Sequence, residues 1–346
     1  MKLVSWYAFV FLAVFSSTNA FSAKSIVIDS HEVPLPAAAS PELRKSILEL
    51  PSVAGFSLPT SAKEWVVLQD IRNKERSAGA EAIATALKVT IHRTEIDGVR
   101  VVELVPDTIK ASNQNRLFIH LHGGAYVFGS GDAGLFEGAL LANRLNIKVA
   151  SIDYGMPPDS PFPAAVNDVV TVYKQLLKKF APNSLIIGGT SAGGGLAFAA
   201  VHKFRQAGIP VPGAIYGGTP WVDLTKTGDT HFTNAGLDRI LVSYDGMLRA
   251  AALLYASGHD LKNELISPLY GSFEKFPPAF LVTGTRDLFL SDVARMHRKL
   301  RASGVQADLH VYEGMSHADY LVVANSPESI DMFGELDRFL QTQLVE

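Results

Sequence analysis

Two hydrophobic rhythms alternate along the chain. Short apolar runs of five to seven residues are followed by longer stretches in which apolar residues recur every three or four positions. The first rhythm belongs to strands and the second to helices that face a core. Strand-like runs occupy 89–95, 99–105, 116–121, 147–153, 184–187, 213–217, 279–283 and 307–312. Helical patterns occupy 132–145, 163–180, 192–200 and 288–303. A closing helix begins at Ser326-Pro327-Glu328, where serine can cap and proline suits the first turn. Asp97-Gly98 between the first two runs is a hairpin signal. This order predicts an α/β fold: a mostly parallel central sheet flanked by helices on both faces and opened by an antiparallel hairpin. Sheets of this kind carry their sites at the carboxyl ends of the strands.

The rhythm breaks in two places. Residues 21–59 are rich in proline, alanine and serine and read as a loose arm with one short helix over 41–50; residues 61–87 then read as one stronger helix. Residues 221–265 show no clear strand and hold a helical patch over 244–255. The chain therefore divides into 1–20, an N-terminal arm and helices over 21–87, a core segment 88–220, an insertion 221–265 and a second core segment 266–346. Lys2, the apolar run 3–15 and the small residues ending at Ala20 have the three regions of a secretory signal peptide. No later run is long and apolar enough to span a bilayer. The expected product is exported, secreted or periplasmic, with no stable membrane insertion after cleavage.

Composition narrows the chemistry. With 47% apolar residues, 19% charged residues and a net charge of −3, the chain has a globular balance and no basic cluster, so no nucleic-acid partner is expected. The absence of cysteine excludes a disulfide framework, a thiol nucleophile and thiolate metal sites. No His-Glu-x-x-His spacing and no phosphate-binding G-x-x-x-x-G-K-[ST] loop occur, so neither metal nor cofactor is expected.

What remains is nucleophilic chemistry. Gly189-Thr190-Ser191-Ala192-Gly193 is the one G-x-S-x-G match, set between a strand and a small-residue helix. A serine there sits on a tight strand-to-helix turn, and its neighbours must be glycine for backbone to approach. Such a serine needs a base, an orienting acid and oxyanion donors. His122-Gly123-Gly124-Ala125, directly after the strand 116–121, supplies unshielded backbone N–H groups, and Ala192 adds another. Within this motif His122 reads as a brace for the loop. Chain order selects His317, in the loop after the last strand, as base. His297 and His310 read as structural, whereas His231 and His259 fall in the insertion and could line a cleft. Asp287 stands at a strand terminus on the same edge, and Asp292 five residues on reads as a helix-start carboxylate.

These segments resemble a known family. HGGAYVFGSGD (122–132), SIDYGMPPDSPFPAAVNDV (151–169), GTSAGGGLA (189–197), TGTRDLFLSD (283–292) and EGMSHADY (313–320) are similar to bacterial hormone-sensitive-lipase-like esterases of the α/β-hydrolase fold. The likeness is to the branch whose elbow reads GTSAG in place of GDSAG. It implies that Ser191 is the nucleophile, His317 the base and Asp287 the acid, with Gly123, Gly124 and Ala192 as oxyanion donors. It also implies a cap over the cleft, built from the N-terminal helices and the insertion. Trp221, Phe232, Leu237, Tyr244 and Met247 are candidates for its acyl pocket, and substitutions in the cap should alter substrate range more than chemistry. Two departures stand out: Ala125 replaces the third glycine of HGGG, and Asp153-Tyr154-Gly155 replaces Asp-Tyr-Arg.

The resulting expectation is a serine carboxylic-ester hydrolase acting on small, short-to-medium acyl esters through an acyl-enzyme. A lactone or amide hydrolase with the same triad, or a non-catalytic ligand-binding module, are the alternatives. The expected partner is a small ester, and association into a homodimer is left open. The leader makes the first testable prediction. Intact mass of the exported protein should place its N-terminus at Phe21, or at Lys24 if cleavage follows Ala23; Met1 retained on exported protein would overturn the leader reading.

Overall fold

A computed structural model describes residues 32–49 and 57–344 of the chain. The expected leader over 1–20 and the stretches 21–31 and 50–56 of the arm lie outside the described residues. Helix α1 (Pro41–Glu49) appears within the arm. The single helix expected over 61–87 is two, α2 (Ala62–Ser77) and α3 (Ala80–Ala86). Ser61 caps α2 by accepting the Glu64 N–H, and the break falls at Gly79, whose φ of +121° few L-residues can adopt.

The hairpin joins β1 (Val89–Ile96) to β2 (Val99–Pro106). Asp97 and Gly98 both take positive φ, 48° and 83°, as the tight turn between twisted antiparallel strands demands. Then follow β3 (Leu117–Leu121), α4 (Leu135–Leu145), β4 (Lys148–Asp153), α5 (Ala164–Leu176), β5 (Leu185–Thr190), α6 (Ala192–Gln206) and β6 (Ala214–Gly218). The insertion holds short α7 (Thr230–Thr233) and α8 (Arg249–Ala256), and the core resumes with β7 (Ala279–Gly284), α9 (Leu290–Ala302) and β8 (Ala307–Tyr312). A short α10 (Asp319–Val322), which the periodicity did not signal, precedes α11 (Pro327–Gln343). The sheet order is β1-β2-β4-β3-β5-β6-β7-β8, antiparallel at β1–β2 and β2–β4 and parallel elsewhere. The expected α/β architecture, with its antiparallel opening, is the one observed.

The inner strands are apolar on both faces because both are covered. Ile119, Leu121, Ile187, Ile215 and Leu281 share one core cluster with α5, α6 and α9 residues. Their sequence neighbours Phe118, Ile186, Tyr216, Phe280 and Val282 belong to a second cluster with α4 and α11. Period-two alternation on a doubly covered sheet thus produces two cores from one set of strands. Among the described residues no helix is long and apolar enough to cross a membrane.

Helix α6 reaches the sheet at the distance of bare backbone. A Cβ on Gly189 would lie 1.9 Å from the Leu121 carbonyl oxygen, and one on Gly193 would lie 1.8 Å from the same atom. Neither contact can be relieved by a rotamer, since the obstacle is backbone. Gly193→Ala should therefore cost about 3 kcal/mol or more. Gly208→Ala, in open space with φ +64°, should cost only about 1 kcal/mol. Chemical denaturation of both variants checks the contrast, and equal costs would refute the close approach.

Candidate active site

Ser191 links β5 to α6 with φ 61° and ψ −124°, a conformation that costs an L-residue about 1–3 kcal/mol. Three backbone bonds hold it there. The Ser191 N–H donates to the Gly218 carbonyl at 2.8 Å, while its own carbonyl accepts from Trp221 at 2.9 Å and Gly195 at 3.0 Å. The end of β6 therefore grips the turn from one side and α6 from the other. The positive end of α6 is directed at the same residue.

A buried polar network lies beneath the turn. Glu137 of α4 accepts both the Thr190 N–H (3.0 Å) and the Thr190 hydroxyl (2.5 Å). Thr190 in turn accepts from Tyr320 at 2.6 Å, and Tyr320 accepts from Tyr216 at 3.0 Å. His120 completes the set, with Nε2 3.3 Å from Glu137 and Nδ1 2.9 Å from Ser151. The sequence reading missed this network. Its one signal was a glutamate inside the apolar pattern of α4.

The glycine loop lies against the turn. A Cβ on Gly123 would stand 2.9 Å from the Thr190 carbonyl oxygen and 3.5 Å from Ser191 Cβ. The N–H groups of Gly123, Gly124 and Ala192 have no protein acceptor among the described residues. Gly124 has φ +124°, and its carbonyl accepts from Val127 at 3.0 Å and Phe128 at 2.8 Å. Ala125 takes φ 55°, so the position where the family carries a third glycine is left-handed here too, and alanine bears some strain.

His122 braces the loop, as its place in the motif suggested. Its Nδ1–H donates to the Gly123 carbonyl at 2.9 Å, its ring stacks on Tyr154 at 4.2 Å, and Tyr154 donates to the His122 carbonyl at 2.7 Å. Burial holds the His122 pKa down at about 4, so it stays neutral at ordinary pH. Helix α2 fastens the outer part of the loop, which no sequence motif announced. Gln69 donates to the Val127 carbonyl at 2.8 Å, and Asn73 accepts the Gly129 N–H at 2.9 Å. Gly155, the second departure, donates its N–H to Asp168 at 2.7 Å, and a Cβ there would come within 2.9 Å of the Ser160 Cβ. Ser160 and Asp168 occupy the space that an arginine stem would need.

Beyond β7, Asp287 is fully buried. Its Oδ1 accepts the Phe289 N–H at 2.9 Å and the His317 Nδ1–H at 3.2 Å, while Oδ2 accepts the Thr283 hydroxyl at 2.8 Å. The loop carrying His317 is zipped to the loop carrying Asp287. Arg286 N–H donates to the Met315 carbonyl at 3.0 Å, and Gly314 N–H donates to the Thr285 hydroxyl at 2.8 Å. Burial alone would lower the His317 pKa, but the Asp287 charge and hydrogen bond, with the charges of Asp238 and Asp319, outweigh it and leave it raised above 6.5. Phe289 packs edge-on to His317 at 4.9 Å and stacks on Trp221 at 5.6 Å. Since Trp221 also binds the Ser191 carbonyl, these two rings connect the serine turn to the Asp287–His317 pair.

Asp292 belongs elsewhere. It pairs with His231 Nε2 at 3.0 Å and with Arg295 at 3.2 Å, and burial raises its pKa to about 6. His231 is therefore a buried structural partner and not the cleft residue that its place in the insertion suggested. His259 bonds locally to the Ala256 carbonyl at 2.9 Å. Phe232, named above for the acyl pocket, is 60% exposed under the Lys226 ammonium. Tyr244 is buried, with its hydroxyl on the Leu224 carbonyl at 2.7 Å.

A strained serine at a strand end, a glycine loop against it and a histidine–carboxylate pair on the same edge define a hydrolase. Comparison with known proteins agrees. The chain belongs to the alpha/beta hydrolase fold family, whose model matches residues 118–321. It is 31% identical over 248 residues to an acetyl-hydrolase of Streptomyces hygroscopicus, covering 71% of this chain and 82% of the relative. The crystal structure of esterase E25 superposes with a TM-score of 0.90 at 42% identity, covering 93% of this chain and 99% of that one. An esterase from the bacterial hormone-sensitive lipase family superposes with a TM-score of 0.74 at 28% identity, covering 89% and 100% of the two chains. Within the fold family, the chain stands with these bacterial hormone-sensitive-lipase-like esterases.

The two carboxylates give a direct test. Asp287→Asn should lower kcat about 10³- to 10⁴-fold, because the amide supports the wrong imidazole tautomer. Asp292→Asn should act mainly on stability, since its partners are His231 and Arg295. Parallel kinetics and melting curves separate them, and a greater loss of kcat in folded Asp292→Asn would reverse the assignment.

Proposed function

We propose that this carboxylesterase hydrolyses small, short-to-medium acyl esters through a serine acyl-enzyme, and that it belongs to the GTSAG branch of its relatives. The observation that carries the mechanism is the Asp287–His317 hydrogen bond on the same strand edge as the strained Ser191. In this reading Ser191 Oγ attacks the ester carbonyl carbon while His317 Nε2 takes the hydroxyl proton. The carbonyl oxygen becomes an oxyanion, received by the free N–H groups of Gly123, Gly124 and Ala192. Collapse expels the alcohol, which leaves with the proton returned by His317. Water then repeats the sequence, adding to the acyl-enzyme, giving its proton to His317 and releasing the acid and free Ser191. Asp287 holds Nδ1 protonated throughout, so that Nε2 is the basic nitrogen, and supports the imidazolium.

The similarity to an acetyl-hydrolase and to esterases favours short acyl groups. A cap fits this preference. Trp65 of α2, Val127 of the glycine loop and Ala251 of α8 share a small apolar cluster, so the N-terminal helices and the insertion meet beside the loop. A signal peptide over 1–20 would direct the enzyme to the secreted or periplasmic space.

Ser191→Ala should reduce ester turnover about 10⁴-fold or more in folded protein. Across p-nitrophenyl esters of rising acyl length, the wild type should favour the short members. A raised His317 pKa means that the neutral base appears only at higher pH, so kcat/KM should climb through a midpoint above 6.5. Retained turnover in Ser191→Ala sinks the mechanism, and a preference for long chains sinks the substrate class.

A further inference from the structure

The insertion does more than approach the site; it grips the two loops that carry Asp287 and His317. Asn234 Nδ2 donates to the carbonyls of Thr285 at 3.2 Å and Asp287 at 2.8 Å. Asp238, fully buried, accepts the Leu288 N–H on Oδ2 at 2.8 Å. Its Oδ1 accepts from Ile240 at 2.9 Å and Leu241 at 3.1 Å, which fixes the carboxylate to its own turn. The next residue reaches the other loop: Arg239 N–H donates to the Ser316 hydroxyl at 3.3 Å, and its guanidinium pairs with Asp319. Segment 234–239 thus holds residues 285, 287 and 288 on one side and residues 316 and 319 on the other.

Consecutive amides receive the two carboxylates, Leu288 taking Asp238 and Phe289 taking Asp287. Asp287 bonds His317, and the charges of Asp238 and Asp319 add to it in holding the His317 pKa up. The Asp319 charge is met by Arg239, whereas Asp238 forms no ion pair among the described residues. Burying an unpaired carboxylate beside another one is costly, and burial together with Asp287 raises the Asp238 carboxyl to about 6. A carboxylate needed only to cap the turn at 240–241 would use one oxygen and need not reach the Leu288 amide beside Asp287.

We propose that Asn234 and Asp238 are positioning residues of the Asp287–His317 pair, both fixing the acid loop and Asp238 adding a second negative charge that favours the imidazolium. The inference rests on the serine mechanism proposed above. It also changes the role of the insertion, part of which acts on the chemistry as well as on substrate range.

Asp238→Asn keeps the size but removes the charge and sets its amide N–H either against the Leu288 N–H or against those of Ile240 and Leu241. For p-nitrophenyl acetate, kcat should fall about 10- to 100-fold with KM within about twofold, as for a misplaced catalytic group. Removal of the negative charge lowers the His317 pKa, so the acid limb of kcat/KM should move down by about half a pH unit or more. Asn234→Ala should lower kcat about 10-fold and leave the acid limb in place, because the Asp238 charge remains. Asp223→Asn is the control: this carboxylate is also buried in the insertion but bonds to Arg295 and Tyr270, so neither the limb nor kcat should change appreciably. Folded Asp238→Asn with wild-type kcat and an unmoved limb overturns the proposal. A lower kcat with an unmoved limb overturns its electrostatic half. Should Asp238→Asn not fold, wild-type kcat in folded Asn234→Ala overturns it instead. Stoichiometric labelling of Ser191 by a p-nitrophenyl phosphonate keeps the two levels apart. Absence of labelling in the wild type defeats the serine mechanism, and this proposal with it; full labelling leaves the variant kinetics to decide on the positioning role alone.

Discussion

Everything at this site depends on one close approach, the carbonyl of Leu121 against the backbone of the serine turn. The same oxygen limits Gly189 and Gly193 to hydrogen side chains, with a Cβ at either falling under 2 Å away. That contact brings the end of β3 against the start of α6. It therefore also sets how near the loop leaving β3, with Gly123 and Gly124, comes to Ser191. The strain at Ser191 follows from it, because a relaxed turn would swing α6 away from the sheet. The strain persists because Gly218, Trp221 and Gly195 each bond the residue in its strained state. The elbow glycines are thus a packing requirement before they are a chemical one.

The second constraint is electrostatic. His317 is nearly fully buried, and burial by itself opposes a charged imidazole. The fold reverses that preference with the Asp287 hydrogen bond and with nearby carboxylate charges whose oxygens are already committed. Asp287 spends its remaining capacity on Phe289 and Thr283, and Asp319 accepts from Ser316 N–H at 2.7 Å and from Arg239. Groups bonded in this way cannot rotate away, which is the preorganisation that the proposed mechanism would use. Asp292 shows the opposite case. Chemically identical and five residues along, it faces His231 and Arg295, and so contributes to packing of the insertion on α9.

The strand–helix alternation, the Asp97-Gly98 hairpin, the Gly189–Gly193 turn and the association of His317 with Asp287 were legible because each is written in local pattern. Hydrophobic period, turn chemistry and strand-end position need only a few neighbouring residues. What was not legible depends on partners far apart in the chain. Nothing near Phe232 indicated that it would stand in solvent beneath Lys226, and nothing near His231 indicated Asp292. Gln69 and Asn73 lie on a helix whose pattern shows only amphipathicity, yet they fasten a loop more than fifty residues away. Gly79 interrupts the helical pattern over 61–87, and the apolar spacing on either side of it conceals the break.

The insertion shows why a division into core and cap, natural from the sequence, is too simple here. An element added between β6 and β7 emerges at the sheet edge where the loops carrying Asp287 and His317 also emerge, so contact with them follows from topology. Contact alone would have left two independent layers. Instead Asn234 bonds the carbonyl of the acid residue itself, and Asp238 bonds the amide directly after it. A displacement of the insertion large enough to admit a bulky substrate would pull on those bonds, and through them on Asp287, which is hydrogen-bonded to His317. Substrate size and catalytic geometry are then coupled by the same hydrogen bonds. In the proposed mechanism, an ester that fits without moving residues 234–239 would leave the pair in register, and one that displaces them would disturb it.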